Sequence, residues 1–326
     1  MRKESLLGVW VVIGLFLATA QASTASPSVV TLTYAPHDQI IIYNDDNFTA
    51  ENGVVGGNGT ADNPYMIEGW DIDISGIVPD SNNPISGIQI GNTHAFFTVK
   101  NVRVHGNYEP VNTTGSFSIS GNPAIVMYFG GNARIENCIL ANTTVGIMMT
   151  GVDRVVIRGN TIIGNSRGIE IDRSSHIYIE DNYVANNQLE NVDLSMISDS
   201  LVKNNTILNS SLQIGMNLYD SERCDVLNNT ISDNSNIGLN IGFCRDCRVA
   251  GNTVTDSRVG ITIYGEENVL LEENAFSNNN KNIDDASEGN SISGPAITIA
   301  AGVAAVAIFI AAYLLMRKVE SKGNPP

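Results

Sequence analysis

Three carboxylates are spaced for joint chemistry. Glu170 and Asp172 stand two residues apart in Gly168-Ile169-Glu170-Ile171-Asp172, so on a strand both leave the same side. Asp193 follows Glu170 after 23 residues, one step of a repeat that runs through the sequence. Carboxylates held that close repel unless one is protonated or a cation lies among them. Calcium would suit such a group, being a hard cation that takes oxygen ligands. A carboxyl pair also suits cleavage of a glycosidic bond, where one group gives a proton and the other stays charged. The remaining reading is a solvated polar face, because Arg154, Arg167 and Arg173 are close in sequence. The same file of positions continues through Asn217, Tyr219, Asn240 and Tyr264, amides and rings of the kind that hold sugars.

The elements that place these residues follow from the repeat. Asn-x-Ile/Val/Phe recurs at Asn137, Asn160, Asn182, Asn205, Asn229, Asn252 and Asn274, at steps of 23, 22, 23, 24, 23 and 22. A second landmark, Gly146, Gly168, Asn191, Gly215, Gly238, Gly260 and Asn282, keeps the same beat. Within each repeat apolar residues alternate, as Ile169 and Ile171 do against Glu170 and Asp172, which is a strand period. Short strands joined by tight polar turns pair with their copies one repeat on. Their inward slots then stack into one continuous core. The sequence therefore predicts an all-β, single-stranded right-handed parallel β-helix, with the seven Asn residues as a hydrogen-bonded ladder at one corner.

The ends have other signatures. Residues 1–22 read as a secretory signal, with Arg2 and Lys3, an apolar stretch and Ala20-Gln21-Ala22. Residues 296–316 are a run of 21 uncharged, mostly apolar residues followed by Arg317 and Lys318, which predicts a membrane helix with a cytoplasmic tail. The expected organisation is a signal peptide and its helix over 1–22, an N-terminal cap and first strands over 23–86 and the β-helix over 87–284. A linker over 285–295, the transmembrane helix over 296–316 and the tail over 317–326 complete it. Asn47, Asn58, Asn112, Asn142, Asn204, Asn209 and Asn228 lie in sequons that permit glycosylation. With 34 acidic against 18 basic residues the chain carries a formal charge of −16, which excludes a nucleic-acid partner.

The four histidines, His37, His94, His105 and His176, are scattered, and His176 reads as an exposed turn residue before it reads as a general base. Cys224 and Cys247 fall in one slot of successive repeats, within disulfide reach, and Cys244 can take the place of either. Cys138 has no evident mate.

The Gly-Ile…Val-x-Ile-x-x-Asn-x-Ile beat resembles the parallel β-helix (PbH1) repeat of pectin-lyase-like proteins. It looks like their NosD-like branch, labelled periplasmic copper-binding, with relatives exported by archaea. Gly56-Gly57-Asn58-Gly59-Thr60-Ala61-Asp62-Asn63-Pro64-Tyr65-Met66-Ile67-Glu68-Gly69-Trp70 is similar to the opening coil of such proteins. The resemblance covers the coils from about 120 to 290 and implies fold and export. It implies less about function, because this fold serves lyases, hydrolases, epimerases, adhesins and assembly factors. The chain lacks the concentration of His and exposed Met that copper would favour, so no cofactor is expected, with calcium at Glu170, Asp172 and Asp193 as the alternative.

The expectation is a membrane-anchored, extracytoplasmic, non-catalytic β-helix at the cell surface. It would bind glycans or envelope proteins through Glu170, Asp172, Asp193, Asn217, Tyr219, Asn240 and Tyr264. The alternative is a polysaccharide lyase, hydrolase or epimerase with Glu170, Asp172 and Asp193 as its catalytic carboxylates. A second alternative, implied by the resemblance, is an accessory to copper-enzyme maturation.

Overall fold

The structure, a computed structural model, describes residues 33–77, 86–108 and 122–286 and the backbone of Ile297–Thr298. One coil consists of Arg167–Asp172, Ser175–Glu180 and Tyr183–Ala185. The next consists of Val192–Ser195, Leu201–Lys203 and Thr206–Leu208. Each strand pairs in parallel with its copy one coil on: Ile169 with Val192, Ile179 with Val202, Val184 with Ile207. The stacked coils present three faces, the third an 11-stranded sheet. The product is an all-β right-handed parallel β-solenoid, as the repeat predicts.

Inside, like stacks on like. Ile147, Ile169, Val192, Met216, Leu239 and Ile261 form one sealed column under the first face. Ile157, Ile179, Val202, Val226, Val249 and Leu271 form a second under the second face. Each buried aliphatic side chain stabilises by about 2 kcal/mol on leaving water. That preference fixes the register, because a slip by one residue would turn every column outward.

Left-handed residues make the corners. Between the second and third faces φ is +53° at Asn137, +66° at Gly159, +56° at Asp181 and +57° at Asn204. Asn, Asp and Gly reach that region at the least cost. The next residue is the ladder position. Asn160, Asn182, Asn205, Asn229, Asn252 and Asn274 stack there. Each of the last five accepts at Oδ1 from the backbone N–H and the Nδ2 of the amide before it, at 2.9–3.0 Å.

Asn137 is not a rung of this ladder. Ile139 pairs with Thr161, which puts Cys138 in the ladder slot, its N–H donating to Asn160 Oδ1 at 2.9 Å. A second amide column runs through Asn165, Asn187 and Asn234, and there Thr143 N–H donates to Asn165 Oδ1 at 2.9 Å, with Asn142 at the corner beside it. A left-handed corner and the adjacent ladder position both favour Asn, so the Asn-x-Ile spelling matches either register.

The segment expected as a cap already carries coil strands. Ala35–Pro36 pairs with Trp70–Asp73, and Ile40–Ile42 with Ile88–Gly91. Val54–Gly56 pairs antiparallel with Tyr65–Glu68. Phe48 stacks on Tyr65 at 4.6 Å and packs on Phe97 at 5.4 Å, covering the core at this end.

The expected membrane helix is corrected. Among the described residues no helix is long and apolar enough to cross a membrane, and the helical element present is the 3₁₀ turn Asp45–Asn47. Where the run 296–316 enters the description it is strand: Ile297–Thr298 continues the third face in parallel with Ala275–Ser277. A β-capable Ile-Thr pair beside an open sheet edge gains ladder hydrogen bonds that a helix start would forgo. The single-pass topology, with its anchor and tail, is therefore not retained. The rest of that run, the signal segment 1–22 and Asn112 lie outside the described residues.

Candidate functional site

Outward positions of the first face form two files. Register pairs Met148 with Glu170, then Asp193, Asn217, Asn240 and Thr262. The neighbouring file runs Thr150, Asp172, Ser195, Tyr219, Gly242 and Tyr264. Residues paired in this way lie about 4.8 Å apart along the solenoid. The structure thus puts all seven expected binding residues on one face.

The carboxylates do not close on a common point. Glu170 turns to Arg167, whose Nη1 donates to Glu170 Oε2 at 3.3 Å. Arg167 Nε also donates to Glu190 Oε2 at 2.9 Å, so one guanidinium bridges two acids. Asp172 pairs with Arg173 instead, and its Oδ1 is buried without a hydrogen bond. Asp193 Oδ1 accepts from Asn217 Nδ2 at 2.8 Å, and Asn217 Oδ1 accepts from Asn240 Nδ2 at 2.8 Å. Asn240 Nδ2 also reaches Tyr264 Oη at 3.4 Å. A chain of amides therefore runs from Asp193 to Tyr264.

Glu170 is the acid with the distinctive environment. Burial raises its pKa above the usual carboxylate range, Arg167 pulls against that shift, and Asp193 adds to it. Glu190, two residues before Val192, completes the group. Sequence reasoning passed over it because it sits in a turn, outside the strand files; its register beside Arg167 was the available signal.

The other candidates lie elsewhere. His176 is on the second face, its Nδ1 2.7 Å from Asp153 Oδ1, an oxygen that also accepts from Ser175 Oγ at 2.9 Å. Both partners converge on one carboxylate oxygen, which makes a turn clasp. All four cysteines are free and buried. Cys224 and Cys247 do share a slot, joined by a 3.4 Å hydrogen bond from Cys224 N–H to Cys247 Sγ and not by a disulfide. Burial pushes the Cys138 thiol up to about 12. Among the sequons, Asn142, Asn204, Asn209 and Asn228 are exposed left-handed turn residues, and Asn58 is exposed as well. Asn47 closes the 3₁₀ turn, accepting at Oδ1 from Tyr43 N–H at 3.1 Å.

Fold and face together define a right-handed β-solenoid with a polar track along one side. The chain belongs to the family described as periplasmic copper-binding protein (NosD), whose model matches residues 21–301. Comparison with curated proteins finds no match. Among solved structures, tailspike protein 2 of an Escherichia coli bacteriophage has a TM-score of 0.54 at 10% identity, over 81% of this chain and 38% of that one. PfbA, a surface adhesin of Streptococcus pneumoniae, has a TM-score of 0.51 at 13% identity, over 83% of this chain and 74% of that one. A variant of the periplasmic alginate epimerase AlgG has a TM-score of 0.49 at 14% identity, over 90% of this chain and 100% of that one. Identities this low speak to fold alone, and the chain corresponds to well under half of the tailspike's length.

The described residues do not fit a copper site. None of their His, Cys, Asp and Glu side chains forms a group of three or more that could hold a metal ion. His105 leans on Asp71 and Asp73, His176 on Asp153, and His37 Nδ1 lies 2.7 Å from Asp38 O. The calcium expected at Glu170, Asp172 and Asp193 meets the same objection, since Arg167 and Arg173 supply the positive charge there.

Proposed function

We propose that this chain cleaves a polysaccharide laid along the first face, with Glu170 and Asp193 as the reacting pair. The observation that carries the reading is the pair itself. The two carboxyl groups stand on register-matched positions of adjacent strands, Glu170 with its pKa raised by burial and Asp193 accepting a hydrogen bond from Asn217 Nδ2. Groups whose environments differ in this way divide the roles of acid and base. Glu170 gives its proton to the glycosidic oxygen as the bond to the anomeric carbon breaks. Asp193 attacks that carbon, and water, deprotonated by Glu170, then releases the sugar. The two residues that carry these carboxyl groups are one strand spacing, about 4.8 Å, apart along the solenoid. Arg167 holds Glu170 in place, and Glu190 holds Arg167.

This replaces the expectation of an anchored, non-catalytic binder, for which the described residues offer no helix able to cross a membrane. The test is release of reducing ends from a panel of neutral and acidic polysaccharides by the purified chain. Glu170→Gln and Asp193→Asn each reduce turnover by about a hundredfold or more. Failure to cleave any member of the panel, or an Asp193→Asn variant as fast as the wild type, overturns the reading.

A further inference from the structure

The corner between the first and second faces is left-handed in each coil from Phe129, at φ +51°, through Arg173 and Met196 to Phe243, at φ +52°. Phenylalanine is a poor residue for such a corner, where its Cβ crowds the following carbonyl. Neither ring is buried in return: Phe129 is 65% exposed and Phe243 52%.

Both residues build the same device. The Phe243 ring meets Tyr219 and Tyr264 edge to face, with centroids 5.5 Å away in each case. Phe129 meets Tyr128 edge to face at 6.1 Å. Each ring takes the space that a Cβ would need at the next corner, 2.6 Å from one built on Gly265 and 3.0 Å from one built on Gly151. Glycine leaves room for the ring in both places. Beside Phe243 the amide chain of Asn217 and Asn240 ends on Tyr264 Oη. Apolar ring faces therefore lie next to donors and acceptors in fixed positions. A pyranose presents the matching surface, a C–H face with a rim of hydroxyls, whereas an aliphatic partner would leave the amides unused.

Register separates Phe129 from Phe243 by five coils, about 24 Å at the parallel-strand spacing. The coils of Glu170 and Asp193 lie between them, with the carboxyl pair three residues to the first-face side of the corner. We infer that Phe129 and Phe243 are two stacking platforms that hold a linear saccharide along the solenoid axis, beside the carboxyl pair. The inference rests on the first face being a polysaccharide track; it does not require cleavage there. A chain that advances one unit per coil needs about six units to touch both platforms.

The test titrates the full chain by calorimetry with linear oligosaccharides of two to eight units, in a neutral β-1,4-glucan series and a β-1,4-uronate series. In at least one series affinity rises about tenfold once the ligand reaches both platforms. Phe129→Asn and Phe243→Asn each remove about tenfold on the long ligands and little on the short ones. Asn accepts a left-handed corner, so both variants keep the fold. Absence of binding in both series, affinity indifferent to length, or variants that bind long ligands like the wild type overturns the inference. Glu170→Gln separates the two proposals. If it retains the length step after turnover is lost, both stand. If the wild type binds with the length step and never cleaves, cleavage falls and the platforms remain.

Discussion

Asn191 Oδ1 accepts from Asn187 Nδ2 at 2.7 Å, and this bond accounts for two departures from the repeat. Asn191 stands in a slot that is glycine at Gly168 and Gly215, and Ser210 stands where the second amide column calls for Asn. Elsewhere in that column Asn165 Nδ2 donates to Asn187 Oδ1 at 3.0 Å. Ser210 has no amide to continue the chain. Asn191 bridges the gap, with its Nδ2 donating to Leu208 O at 2.9 Å and reaching Asn234 Oδ1 at 3.5 Å. One coil pair further on Ser257 again replaces Asn, but Gly238 offers no bridge, and Asn234 Nδ2 is buried without a partner.

The bridge predicts coupling. Asn191→Gly alone orphans buried amide groups and costs about 1–3 kcal/mol. With Ser210→Asn present as well, the column closes normally and most of that loss returns. Urea unfolding of the four members of the cycle checks this, and additive effects would show that the two sites are independent. Ser257→Asn should stabilise by about 1 kcal/mol by giving Asn234 Nδ2 an acceptor.

Adjacent asparagines at a corner should differ sharply. Asn205→Ala removes the acceptor for Asn182 N–H and the donor to Ile179 O, each bonded at 2.8–3.0 Å, and costs about 3 kcal/mol. Asn204, exposed with φ +57°, tolerates glycine with a change within about 0.5 kcal/mol. Thermal melts of the two variants test this, and equal losses would mean that the ladder carries no special stability.

The solenoid was legible because its core columns and amide ladder repeat one chemistry at one spacing. The errors fell where one residue type serves two neighbouring roles. Asn137 is a corner residue beside a ladder slot filled by Cys138, so composition alone could not fix the register. The apolar run after Pro295 satisfies the hydropathy of a membrane helix, yet hydropathy cannot see that Ile297 lies beside the unpaired edge of Ala275–Ser277. The files of the first face were readable from alternation. The bridging role of Arg167 and the exposed rings at Phe129 and Phe243 were not, because Glu190 lies in a turn and the corner conformation disfavours Phe.

The thiols should be silent in the native state. Cys138, Cys224, Cys244 and Cys247 are each at most 2% exposed. Hydrogen bonding to Cys247 raises the pKa of Cys224 and of Cys244, and accepting those bonds lowers that of Cys247. Low exposure outweighs the acidity of one member, since a bulky reagent must reach the sulfur first. An aromatic disulfide reagent should find no fast-reacting thiol in the folded chain and all four after unfolding in guanidinium. A single fast thiol in the folded chain would place Cys247 on an opening corner.

Arg167 should set the alkaline limb of activity. Burial raises the pKa of Glu170, and the neighbouring guanidinium opposes the rise by favouring the charged form. As a proton donor Glu170 works below its folded pKa, and activity falls as pH rises through that value. Arg167→Gln removes the opposing charge, so the limb moves to higher pH although the rate at its plateau drops through lost positioning. Glu190→Gln frees Arg167 from its second partner at 2.9 Å, strengthens its pull on Glu170 and moves the limb to lower pH. Rate profiles of the two variants against pH check the signs. Shifts in the same direction, or none, would mean that Arg167 does not act on the acid that limits the reaction.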